Sequence, residues 1–279
     1  MSPLVPARNL LKVWLLFAGV CSLLGYVGWV LGGFGVSSIF VFCGLLLGAA
    51  IYWYADRVTM GMLGARELPA AESPALHTTL ERLSLRAGIV KPRLYVIPLG
   101  PPLGLSAGRG PAGSALAVTQ ALVTLPSPAE LEGVLAHEVA HIRSRDVLVQ
   151  TMAVVIATII VESSRIGGWF ERSLLFVLGP IAAAFVHLLL SPKREFEADR
   201  YAASLCESPH GLADALIRLD QASELVAFRA SPAAEPLFTI DPFEDAGLAA
   251  LFGTHPSVGE RVQRLRELDP DWRSKLRAA

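Results

Sequence analysis

The chain has 279 residues, 53% hydrophobic and 18% charged, with a net charge of −1 and a mean hydropathy of +0.49. That is too apolar for an ordinary soluble domain and too charged for a chain lying wholly in a bilayer, so membrane helices joined to one soluble domain are expected. The near-neutral balance argues against a nucleic-acid surface, and three scattered cysteines without a C-x-x-C argue against a cysteine zinc site and fit a reducing compartment.

Val13 to Leu31 is an uncharged apolar run long enough to span a bilayer, and a second follows from Val36 to Tyr54. The link between them, Gly32-Gly33-Phe34-Gly35, is short and carries no charge. The pair reads as a transmembrane hairpin over residues 1–55, with Trp14, Trp29, Tyr52, Trp53 and Tyr54 near the run ends as an aromatic belt. Arg8 and Lys12 flank one end; Arg57 and Arg66 flank the other. By the positive-inside rule both ends, and the soluble part after them, face the cytoplasm.

From Asp56 the composition changes. Ser73 to Ala87 carries Leu76, Leu80 and Leu83 at helical spacing, with Gly88 as a stop. Arg93 to Pro98 and Ala115 to Thr119 read as strands, separated by a Gly/Pro-rich loop from Leu99 to Gly113. The two strands are expected to pair as a hairpin. Its open edge, near Leu116, Ala117, Val118 and Thr119, is the candidate docking edge for an extended peptide; an ordinary packed hairpin is the plain alternative.

Ser127-Pro128-Ala129-Glu130 is a helix start: Ser as N-cap, Pro at the first helical position, Glu three residues after the cap. The helix carries His137-Glu138-Val139-Ala140-His141, an H-E-x-x-H pattern. Histidines four apart share a helix face and can reach one metal ion, and the glutamate between them lies where it can take a proton from water. Glu138 also falls on the apolar stripe with Leu131, Val134 and Leu135, where an unpaired carboxylate is costly and a divalent cation would compensate it. A surface helix with two solvated histidines is the bland reading.

Residues 147–190 contain two more apolar runs, Val147 to Val161 and Ser173 to Leu190, read as a second hairpin, spanning or re-entrant. Ser191-Pro192 then opens another helix, on which Glu195 and Asp199 lie one turn apart. A catalytic zinc takes three protein ligands, so Glu195 is the candidate third ligand and Asp199 the candidate partner for a histidine's far nitrogen. A solvated acidic face is the alternative.

Together the segments Tyr54-Ala55-Asp56-Arg57, Ala65-Arg66-Glu67, Ala115 to Leu125, Glu130 to Ile142, Arg145-Asp146, Arg194 to Asp199 and Thr254-His255-Pro256 resemble the HtpX-type membrane zinc endopeptidases, relatives of the CAAX prenyl endopeptidases. The resemblance covers nearly the whole chain. It implies a mainly α fold with a small β-sheet, membrane helices, and a gluzincin-like metallopeptidase domain split into 56–146 and 191–279. It implies one Zn²⁺ per chain on His137, His141 and Glu195, Glu138 as general base, and Asp199 behind a zinc-bound histidine. It also implies that His255 and Arg261 hold substrate or the developing oxyanion; without it, His255 is a turn residue and Arg261 lies on the polar face of an amphipathic helix. Polypeptide substrates, above all damaged membrane proteins, and a multi-pass place in a bacterial inner membrane with the catalytic part cytoplasmic follow from the same resemblance. One departure stands out: where the family pattern P-N-A-F-x-x-G-R has Asn, this chain has Leu103, which cannot donate an amide hydrogen bond. Two rivals are weighed. An intramembrane metalloprotease is disfavoured because Glu130, Glu132, Arg143 and Arg145 make the motif helix too polar to span. A non-catalytic membrane scaffold retaining the fold is supported by Leu103 alone.

Overall fold

The computed structural model describes residues 4–165, 180, 183, 184, 186, 187, 189–223, 237–239 and 255–271. Among these the architecture is mostly helical with one four-stranded sheet.

Helix α1 (Leu4–Met62) is two arms joined at Gly32 and Gly33, where the backbone leaves helical geometry. Gly33 has φ +68°, a conformation that an L side chain rarely adopts. The second arm runs back along the first: the Ser37 hydroxyl donates to the Gly25 carbonyl at 2.8 Å. Small residues line the seam, and a Cβ at Gly28 or Gly48 would collide with Ser37 or Phe17. Trp29, Phe34, Ile39 and Phe42 project outward without cover. Among the described residues this is the one helix long and apolar enough to cross a membrane. The base of its first arm, at Val13 and Leu16, packs with Leu148, Met152 and Ala153 of α5 (Asp146–Arg165) in a second apolar core. Of the expected second hairpin over 147–190, the first run, Val147 to Val161, lies on α5, and most of the second, Ser173 to Leu190, lies outside the described residues.

The sheet departs from the expected hairpin. Strand β1 (Arg66–Glu67) runs antiparallel to β2 (Arg93–Ile97), but β2 lies parallel to β4 (Ser114–Thr119). The segment expected as a loop supplies β3 (Gly104–Gly108), antiparallel to β4 and outermost in the order β1-β2-β4-β3. A parallel pair needs a long crossover, and residues 98–113 provide it. Leu116, Ala117, Val118 and Thr119 therefore lie on a fully buried interior strand whose two edges are both taken. They cannot accept a peptide, and the docking edge assigned to them is corrected: the outer edge belongs to β3. Leu103, in place of the family's Asn, points into the main core, and its backbone N–H donates to the Thr119 hydroxyl.

Helix α2 (Pro74–Ala87) ends at Gly88 in the left-handed conformation, as its sequence requires. After the one-turn α3 (Gln120–Thr124), α4 (Pro128–Ser144) starts on a complete capping box between Ser127 and Glu130. It packs against α2, β3, α6 (Lys193–Cys206) and α7 (His210–Ser223), and α8 (Val258–Arg266) closes over α6 and α7. The α4–α7 crossing is close because Gly133 has no side chain: a Cβ there would sit 2.6 Å from the Leu212 backbone nitrogen. Backbone cannot yield as a side-chain tip can, so Gly133→Val should lower unfolding stability by about 1–3 kcal/mol. Gly259→Ala, with nothing within 4 Å of the new methyl, should leave stability unchanged or higher, both read by thermal unfolding of the purified chain.

Candidate metal centre and active site

The helical register of α4 places His137, Glu138 and His141 in the interior, each almost wholly buried. Helix α6 brings Glu195 to the same point, with no exposed surface at all. The two imidazole Nε2 atoms are 3.1 Å apart, and the Glu195 oxygens lie 3.4 Å from His137 Nε2 and 3.6 Å from His141 Nε2. For ligands about 2.05 Å from a tetrahedral centre, atoms are separated by about 3.3 Å. The three side chains thus already stand at the spacing of one shared cation, and one donor atom from each lies within 4.8 Å of the others. Neither Glu195 oxygen accepts a hydrogen bond within the described residues, although both are buried. A carboxylate so placed needs a cation.

Carboxylates face the far sides of both histidines. His137 Nδ1 is 2.9 Å from Asp199 Oδ1, and His141 Nδ1 is 3.6 Å from Asp146 Oδ2. Asp199 is in turn gripped by Arg261, whose Nε and terminal N–H groups donate to its two oxygens at 2.9 and 2.7 Å. Asp146 accepts from the Ser144 hydroxyl at 2.7 Å and from the Asn9 amide at 2.5 Å. Such partners fix the imidazole tautomer and orientation that a metal needs.

Burial opposes charge on Asp199 and Glu195, and neighbouring cations win. Burial would raise Asp199, but Arg261 holds it below the usual range. Burial would also raise Glu195, yet His255, His141 and Arg194 hold it well below. Burial disfavours a charged His141, but Glu195, Asp146 and Glu138 outweigh it and push the imidazole up to about 10.

Glu138 is engaged at both oxygens: the Ser106 hydroxyl of β3 donates to one at 2.8 Å, and the Thr239 hydroxyl to the other at 2.8 Å. Thr239 belongs to a short segment, 237–239, seated on the outer edge of β3. Phe238 bridges Leu105, and the Thr239 N–H donates to the Gly104 carbonyl at 3.0 Å. The His255 side chain is 5% exposed, with Nε2 3.7 Å from Glu195. The Arg261 guanidinium, 1% exposed, donates to Asp199 and, at 2.5 Å, to the Thr239 carbonyl, and its Nη1 also lies 3.8 Å from Glu195. Sequence reasoning thus brought His137, Glu138, His141, Glu195, Asp199, His255 and Arg261 to the right neighbourhood. It missed Ser106, Asp146 and Thr239. Asp146 had a signal, since it directly follows the motif helix; a lone Ser and a lone Thr had none.

The chain is similar to known proteins over most of its length. The family model for peptidase family M48 matches residues 70–269. A "Protease HtpX homolog" of Pelotomaculum thermopropionicum is 39% identical over 278 residues, covering 93% of this chain and 99% of the relative. A protein of the same description from Pyrococcus abyssi is 36% identical over 275 residues, covering 92% and 95%. Among solved structures, the crystal structure of S. mikatae Ste24p aligns with a TM-score of 0.47 and 17% identity, over 95% of this chain and 66% of that one.

The proton that His141 retains near neutrality must leave when a metal takes its place. Metal loading of the apo protein should therefore weaken as pH falls below about 10, and each ion bound should release about one proton near pH 7. Calorimetric titration in two buffers of different ionisation enthalpy reads the proton count directly; equal heats in both would contradict it.

Proposed function

The chain belongs to peptidase family M48, and from that premise we propose that it is a membrane-anchored, zinc-dependent endopeptidase. The observation that carries this reading is the buried His137–His141–Glu195 cluster at ligand spacing, with the Glu138 carboxylate beside it. Two imidazoles and one carboxylate form a donor set suited to zinc, with room left for water and substrate. Bound there, the metal would supply Lewis acidity, lowering the pKa of water and polarising the scissile carbonyl.

The residues of the chain do the rest. Glu138 takes the proton from the attacking water and passes it to the leaving amine. Asp199 and Asp146 orient the two imidazoles, and Arg261 acts as the clamp that keeps Asp199 in place. His255, within reach of Glu195, is the side chain placed to donate to the developing oxyanion. The substrate would lie as an extended strand on the outer edge of β3 at Gly104–Gly108. Residues 237–239 now sit on that edge, so productive docking requires them to leave, which also frees one oxygen of Glu138.

In this reading residues 1–55 are the membrane anchor, and 56–146 with 191–279 form the catalytic unit. The basic residues at both ends of the α1 hairpin face that unit toward the cytoplasm. Substrates would be polypeptides, with damaged membrane proteins the class that an anchored protease meets first, in a quality-control role.

Glu138→Gln tests the chemistry. It should keep the metal, measured by elemental analysis, while hydrolysis of an unfolded polypeptide falls by at least about a hundredfold. Wild-type cleavage rates in the variant would overturn the protease reading, and no cleavage by the zinc-loaded parent would return the chain to the scaffold reading. Thr239→Val tests the edge. Losing one hydrogen bond to a charged group, worth ~1.5 kcal/mol, should ease departure of the segment and raise kcat/KM by about tenfold. A fall of similar size would make Thr239 a support of the reaction instead.

A further inference from the structure

Away from the metal centre, a cavity of about 240 Å³ opens where the start of α1 meets α5 and α6. Its walls carry four cations, Arg8 and Lys12 of α1 with Lys193 and Arg194 of α6, against two carboxylates, Asp146 and Glu197. Asp146 is already engaged by Asn9 and Ser144 and is turned toward His141, and Glu197 is exposed. Lys12 is fixed at the wall by donating to the Leu189 carbonyl at 2.7 Å. The cavity is therefore positive, roomy enough for a phosphate with its glycerol, and built from parts 180 residues apart in sequence that the fold draws together.

Its position narrows the ligand. Lys12 directly precedes the apolar run that starts at Val13. At helical spacing Arg8, Leu11, Lys12 and Leu15 share one face of α1, and Leu11 and Leu15 are more than half exposed. A headgroup held by Arg8 and Lys12 would lay its acyl chains along Leu11 and Leu15. Free phosphate would use the same cations but would leave that apolar stripe bare. We propose that this cavity binds the phosphate of an anionic membrane phospholipid.

The inference rests on the membrane-anchored reading but not on catalysis. It also gives the lipid a route to the metal centre. Arg194 lies in the cavity wall with its Nε 3.3 Å from Glu195, and Asp146 connects the same wall to His141. A bound phosphate shares Arg194 with Glu195 and so acts on one metal ligand directly.

The test uses the full chain carrying Glu138→Gln, so that proteolysis plays no part, in nanodiscs of phosphatidylcholine titrated with fluorescent phosphatidylglycerol. Binding should be saturable and should weaken by about thirtyfold in Arg8→Gln/Lys193→Gln, two exposed positions whose change leaves the fold intact. Arg57→Gln, an exposed cation at the other end of the hairpin, should bind as the parent does. Inorganic phosphate at millimolar concentration should not displace the lipid. Non-saturable uptake, equal loss in Arg57→Gln, or full displacement by inorganic phosphate would each overturn the proposal, the last by making free phosphate the ligand. Should the double variant unfold by circular dichroism, Lys193→Gln alone is read by the same titration, and undiminished binding there overturns the proposal too.

Discussion

The fold is organised around a charge problem. Glu138, Asp146, Glu195 and Asp199 are four carboxylates buried side by side, and Arg194 and Arg261 are the buried guanidinium groups beside them. With both histidines neutral the group remains two charges short of balance, and buried charge is tolerated only when it is paired. A divalent cation closes that gap in a single step. Without one, the protein borrows protons, which is why the His141 imidazole rises to about 10. The same geometry therefore explains both why the site binds a metal and why pH competes for it. The arrangement agrees with the sequence matches that place the chain in peptidase family M48 among membrane-associated metalloproteases.

What the sequence made legible was local. The capping box at Ser127 and Glu130, the left-handed stop at Gly88 and the i,i+4 spacing of His137 and His141 each depend on residues within one or two helical turns, and each is found in the structure. Glu195 was legible because zinc chemistry asks for a third ligand and the acidic pair with Asp199 has the right period. The sheet was not. Gly-Leu-Ser-Ala-Gly has neither the alternation nor the β-branched residues of a strand, because β3 is covered on both faces and packed closely against α4 and Thr239. Strand order is a long-range property, and a Gly/Pro-rich loop between two apolar strings invites a hairpin where a parallel crossover formed. The error about β4 and the missed role of Ser106 share this origin: both depend on knowing that β3 lies at the edge.

Thr239 illustrates a second limit. It lies 101 residues from Glu138, yet its hydroxyl meets the Glu138 carboxylate, its backbone pairs with Gly104, and its carbonyl takes an N–H from Arg261. One residue thereby ties Glu138, the sheet edge and Arg261 together. No spacing rule reaches that far. Its consequence is that the β3 edge is occupied by a piece of its own chain, and on the proposed docking at that edge a peptide would have to replace those hydrogen bonds.

The link between anchor and site runs through few atoms. Asn9, on the first arm of α1, donates both to the Ser144 carbonyl at the end of the motif helix and to Asp146, the partner of His141. Val13 and Leu16 continue that contact as apolar packing on α5. A shift of the hairpin relative to α4 would therefore be felt first at Asp146 and next at a metal ligand. Small movements at such a junction are not absorbed smoothly, because close-packed interiors resist continuous deformation. The first arm of α1 is for this reason part of the support of the His137–His141–Glu195 cluster, since Asn9 is one of the two groups that hold Asp146. On the proposed division of the chain, cutting away residues 1–55 would keep all three candidate ligands and remove that hold on the carboxylate facing His141.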